Sequence, residues 1–149
     1  MAIILNIDTT TTNCSVSLSK DEETLILKEE NDSGFSHAEK LHVFIKNVFE
    51  ETDISPKNIN AIAISKGPGS YTGLRIGVST AKGLCFSLDK PLIAISTLKA
   101  LAHQVLAEEN ALIIPMLDAR RMEVYSAIYN SDYSLYSCLL YTSPSPRDS

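Results

Sequence analysis

Ser65-Lys66-Gly67-Pro68-Gly69-Ser70-Tyr71-Thr72-Gly73-Leu74-Arg75 sets three glycines and a proline between a buried-strand pattern, Ile59 to Ser65, and a run of small residues with helical spacing. Gly67 and Gly69 allow positive φ or close approach of another chain, and Pro68 stiffens the turn between them. Strand, glycine turn and helix in that order point to an α/β fold. Free N–H groups at the start of such a helix suit an anion, but the known phosphate-binding spacings do not match. A Walker loop requires Gly-Lys-Ser/Thr where this chain has Gly73-Leu74-Arg75. The dinucleotide fingerprint is one residue shorter than the spacing of Gly67, Gly69 and Gly73, and the next strand pattern, Leu92 to Ile95, ends in Ser96-Thr97 without an acid for a ribose hydroxyl. Gly67, Pro68, Gly69, Ser70, Tyr71 and Thr72 therefore read first as a structural turn that lets the next helix pack closely, and only second as an anion cradle.

Outward from this turn, the hydrophobic period changes from two to near 3.6 and back. Ile3 to Ile7, Cys14 to Leu18 and Thr24 to Lys28 predict three strands of an antiparallel meander, separated by Thr/Asn and Asp/Glu turns. Ser36-His37-Ala38-Glu39 is a capping box opening a helix whose Leu41, Phe44, Ile45, Val48 and Phe49 share one face. Ile59 to Ser65 predicts a strand, Thr72 to Leu88 a helix, Pro91 to Ile95 a strand and Thr97 to Leu106 a helix, giving β-β-β-α-β-α-β-α with a right-handed crossover. Ala111 to Leu117 and Glu123 to Tyr129 predict two further strands.

Gly73, Gly77 and Ala81 recur every four residues and form a smooth strip, beside an apolar strip of Leu74, Val78, Cys85 and Leu88. A helix-interior glycine costs about 1 kcal/mol relative to alanine, so the strip implies close packing against a neighbour. That neighbour is either the helix from Ser36 to Glu50 or another protein.

Few residues offer chemistry. Ser70 and Ser79 lack a nucleophile elbow. His37 and His42 are five positions apart, about 140° around a helix, and cannot share a metal without distortion. His103 has no second histidine nearby, so no metal and no cofactor is expected. Asp118, Arg120 and Arg121 read as a turn with an internal ion pair. The chain carries a formal net charge of −5, which argues against its gripping an RNA backbone alone. Cys14 and Cys85 show no metal spacing and fit a reducing compartment, no basic start or long apolar stretch marks a signal peptide, and no apolar run approaches about 18 residues. A cytoplasmic protein is expected.

Five separated blocks carry a resemblance: Leu5-Asn6-Ile7-Asp8-Thr9-Thr10, Asn13 to Leu18, the Gly67 to Arg75 loop, Ile95-Ser96-Thr97-Leu98, and Leu117-Asp118-Ala119-Arg120 with Glu123-Val124-Tyr125. In this order they resemble the TsaB (YeaZ) family of bacterial subunits in tRNA threonylcarbamoyladenosine synthesis, over about residues 2 to 130. The element order likewise resembles the actin-like/Hsp70-like (ASKHA) half-domain of ribonuclease H type, which the superfamily duplicates. The resemblance implies a non-catalytic subunit that binds TsaD, with TsaE completing the assembly, tRNA met only through the complex, and no membrane. TsaD holds a metal through two histidines where this chain has Ser96-Thr97, a helix N-cap. The superfamily's phosphate loop falls on Asp8, Thr9 and Thr10, a vestigial nucleotide site lacking its glycine, so a hairpin turn closed by side-chain to backbone bonds is the stronger reading. The partner interface is carried to the two helices, on His37, Leu41, Phe44, Gly73, Leu74, Gly77, Val78 and Ala81, which would join TsaD in a mixed four-helix bundle. Two alternatives stay open: an ATP-dependent enzyme of the same superfamily, and a self-associating regulatory protein whose helices pair as a homodimer.

The C-terminal residues from Cys138 onward match the in-frame translation of a transposase-type sequencing adapter, and such scars are excluded from fold reasoning. The expected organisation is an actin-like domain over 1–110, a truncated start of a second domain over 111–137, and a non-native tail over 138–149.

Overall fold

A computed structural model describes residues 2–31, 37–120 and 123–142; at positions 37, 118, 120 and 138–142 only the backbone is described. The chain forms two compact units, one of residues 1–66 and 70–95, the other of residues 67–69 and 96–149.

In the first unit, β1 (Ile3–Asp8), β2 (Asn13–Lys20) and β3 (Glu23–Asn31) form the expected meander. Helix α1 (His37–Thr52) leads to β4 (Ala61–Ser65), and α2 (Tyr71–Leu88) leads to β5 (Leu92–Ile95). The sheet order is β3-β2-β1-β4-β5, with β4 parallel to both β1 and β5. Alternation along β1 and β2 turns Leu5, Ile7, Cys14, Val16 and Leu18 inward, where Leu41 and Val48 of α1 and Ala81 of α2 join them in the core. Leu5, Leu18, Leu41 and Ile62 are fully buried, each contributing on the order of 1.5–3 kcal/mol from area removed from water.

Both helix ends of α2 follow from local sequence. Ser70 is the N-cap, its hydroxyl accepting from Gly73 N–H and its carbonyl from Leu74 N–H. Asp89 closes the other end at φ 54°, where its N–H reaches Cys85 O. The helix starts at Tyr71, one residue before the expected Thr72. The capping box proposed for α1 rests on Ser36, which lies outside the described residues.

In the second unit, α3 (Thr97–Ala102) packs Leu98 and Ala102 against Ile113, Ala127 and Tyr129 of an antiparallel sheet. Its strands are β6 (Leu112–Ile113), β7 (Met116–Arg120), β8 (Glu123–Asn130) and β9 (Leu135–Thr142). The single strand expected over Ala111 to Leu117 is two segments in one register: Leu112 faces Asn130, Ile113 faces Tyr129, Met116 faces Ser126 and Leu117 faces Tyr125. The break falls at Ile114-Pro115, because Pro115 has no N–H for the ladder, and Ser126 Oγ donates to Pro115 O at 3.1 Å. The backbone of residues 138–142 continues β9 along β8.

Helix α3 ends four residues before the expected Leu106. The N–H groups of Gln104 and Val105 turn back to Leu101 O and Ala102 O in 3₁₀ fashion. Tyr133 Oη donates to Val105 O at 2.7 Å, and its ring stacks on His103 with centroids 4.1 Å apart. A side chain 28 positions away thus holds the terminus, which local periodicity does not reveal.

Candidate functional site

Tertiary structure brings the Asp8 to Thr10 turn against the start of α2. Asp8 Oδ1 accepts from Thr10 N–H at 2.9 Å and from Thr10 Oγ1 at 2.7 Å, a side-chain-closed turn. Thr9 Oγ1 donates to Gly73 O at 2.6 Å, and Ser70 N–H donates to Thr10 O at 2.6 Å. The hydroxyls of Thr9 and Thr10 are buried and bonded inside the fold, so the turn reading describes this site. In the second unit, Gly67 sits at φ 110°, where a side chain is disfavoured, and its carbonyl accepts from Thr97 N–H at 3.0 Å. Ser96 caps α3 through Lys99 N–H, as the sequence indicates.

The glycine strip faces inward. Gly73, Gly77 and Ala81 are buried against the sheet of their own unit. A Cβ at Gly77 would collide with Thr9 Oγ1 and stand 3.2 Å from Ile64 Cδ1. The close approach that the strip implies is met at Gly77 inside the chain, by Thr9 and by Ile64 of β4. Leu41 is 0 % exposed and likewise belongs to the core. Phe44 and Val78 are half-buried and pack against that core, and Leu74 is half-buried. The side chain of His37 lies outside the described residues.

What α1 and α2 leave open is a groove between them. One section of about 420 Å³ is lined by Ala38, His42, Thr72, Arg75, Ile76, Ser79 and Thr80. A second of about 270 Å³ is lined by His42, Ile45, Ser79, Thr80, Gly83 and Leu84. Val43, Tyr71 and Phe86 stand exposed on the same two helices, Phe86 at 91 %. The Arg75 guanidinium lies 5.7 Å from the Tyr71 ring centroid. Leu41, Gly73, Gly77 and Ala81 face inward. The interhelical groove is lined by residues four and three apart on the outward side, such as Arg75, Ser79 and Gly83, and these polar and small residues give no hydrophobic signal.

Among the described residues, no group of three or more His, Cys, Asp or Glu side chains converges, and no helix is long and apolar enough to cross a membrane. Burial pushes the Cys14 thiol up from its ordinary value of 9.0; the Lys40 charge opposes this, and Asp8 and Glu30 add to it. Burial also raises the Cys85 thiol.

The meander, the parallel β1–β4–β5 crossovers and the glycine turn between β4 and α2 define an actin-like α/β half-domain. A glucokinase from an Antarctic psychrotroph shares this fold at 19% identity and TM-score 0.51, over 96% of this chain and 50% of that one. The family model described as TsaD, tRNA N6-adenosine threonylcarbamoyltransferase, matches residues 32–137. The chain belongs to this family, on its TsaB (YeaZ) side. The tRNA threonylcarbamoyladenosine biosynthesis protein TsaB of Bacillus subtilis (strain 168) is 37% identical over 126 residues, 85% of this chain and 54% of that protein. YeaZ from Pseudomonas aeruginosa superposes with TM-score 0.78 at 31% identity, over 96% of this chain and 66% of that one. The chain spans about half the length of the curated relatives it matches.

Proposed function

We propose that this chain is a non-catalytic subunit that binds and supports TsaD in forming N6-threonylcarbamoyladenosine beside the anticodon of ANN-decoding tRNAs, with TsaE in the assembled complex. The observation that carries this reading is the open α1–α2 groove, set beside a would-be nucleotide turn whose Asp8 and Thr10 groups already bond one another. The groove offers a partner helix an apolar floor and small residues. The internal bonds of the turn compete with phosphate and metal-bound water for the same atoms. The protein acts in the cytoplasm, meets tRNA only within the complex, and pairs with itself through the same helices when TsaD is absent.

The test is reconstitution with purified TsaD, TsaE, tRNA and threonylcarbamoyl adenylate. The chain alone should give no transfer, and TsaD should show a saturable isotherm with it and gain activity. ATP turnover by the chain alone that disappears in Asp8→Ala would overturn the reading in favour of an enzyme.

A further inference from the structure

We draw no further inference here: the strongest candidate, the exposed apolar patch of Leu112, Ile114 and Met116 along β6 and β7 of the second unit, carries none, because nothing in the structure shows what covers it.

Discussion

Gly77 and Gly83 lie on one helix, yet a methyl group at each has opposite consequences. At Gly77 it displaces Thr9 Oγ1 and breaks the bond to Gly73 O that ties α2 to the end of β1. Gly77→Ala should therefore lower stability by about 1–3 kcal/mol, the usual range for overpacking. At Gly83 the methyl group meets no neighbour among the described residues, and Gly83→Ala should raise stability by up to about 1 kcal/mol. Urea unfolding of both variants checks the pair, and equal shifts would refute the packing assigned to Gly77. Cys14 supplies a pH dependence. Its thiol is raised in the folded chain, so the native state holds the proton more tightly than the unfolded one. That contribution is complete below the ordinary thiol value and is lost as pH rises through the raised one. Stability of the wild type should fall more steeply above about pH 9 than that of Cys14→Ala, as read from melting temperatures across pH 7–10.5.

At the scale of elements, the clearest departure from periodicity is the early end of α3. Leu106 continues the apolar pattern but is 95 % exposed, because the helix has already turned at His103. The Tyr133 hydroxyl and ring hold that turn from the β8–β9 connection, where Asp132 accepts from Ser134 N–H and Oγ. Tyr133→Phe keeps the stack and removes the hydroxyl, leaving Val105 O without this donor. A loss of about 1 kcal/mol is expected, read by hydrogen exchange at the end of α3 with the first unit unchanged. Along β8 the opposite holds: β6 and β7 keep one register against it, and Pro115 interrupts the strand expected over Ala111 to Leu117 without shifting it. The bounds of α2 were legible to within one residue; Ser70 and the Asp89 turn, which set them, act over three or four residues.

For the whole molecule, the family match covers residues 32–137, and the segment from Cys138 onward carries the expectation of a non-native tail. The first unit ends at Ile95 and has its own core, and β9 lies in the second. Deleting residues 138–149 should leave the melting of the first unit and the affinity for TsaD unchanged. It should also remove the outer strand pairing of β8, exposing an edge that invites association. A loss of TsaD binding on deletion would show that the tail contributes to function.

The sequence by itself determined the order of elements as far as α3, the meander, the parallel crossover around the glycine turn and the family blocks, because periodicity, caps and turn residues act within a few positions; β9 (Leu135–Thr142) was not among the expected strands. Only the tertiary structure decided which face of α2 meets what. The rule that interior glycines need a close neighbour held for Gly77, but the neighbours were Thr9, in the turn after β1 and more than 60 residues away in sequence, and Ile64 of β4. Leu41 passed to the core for the same reason. An apolar or small stripe records only that something packs there, and the identity of the neighbour is fixed by long-range contacts that no local pattern contains.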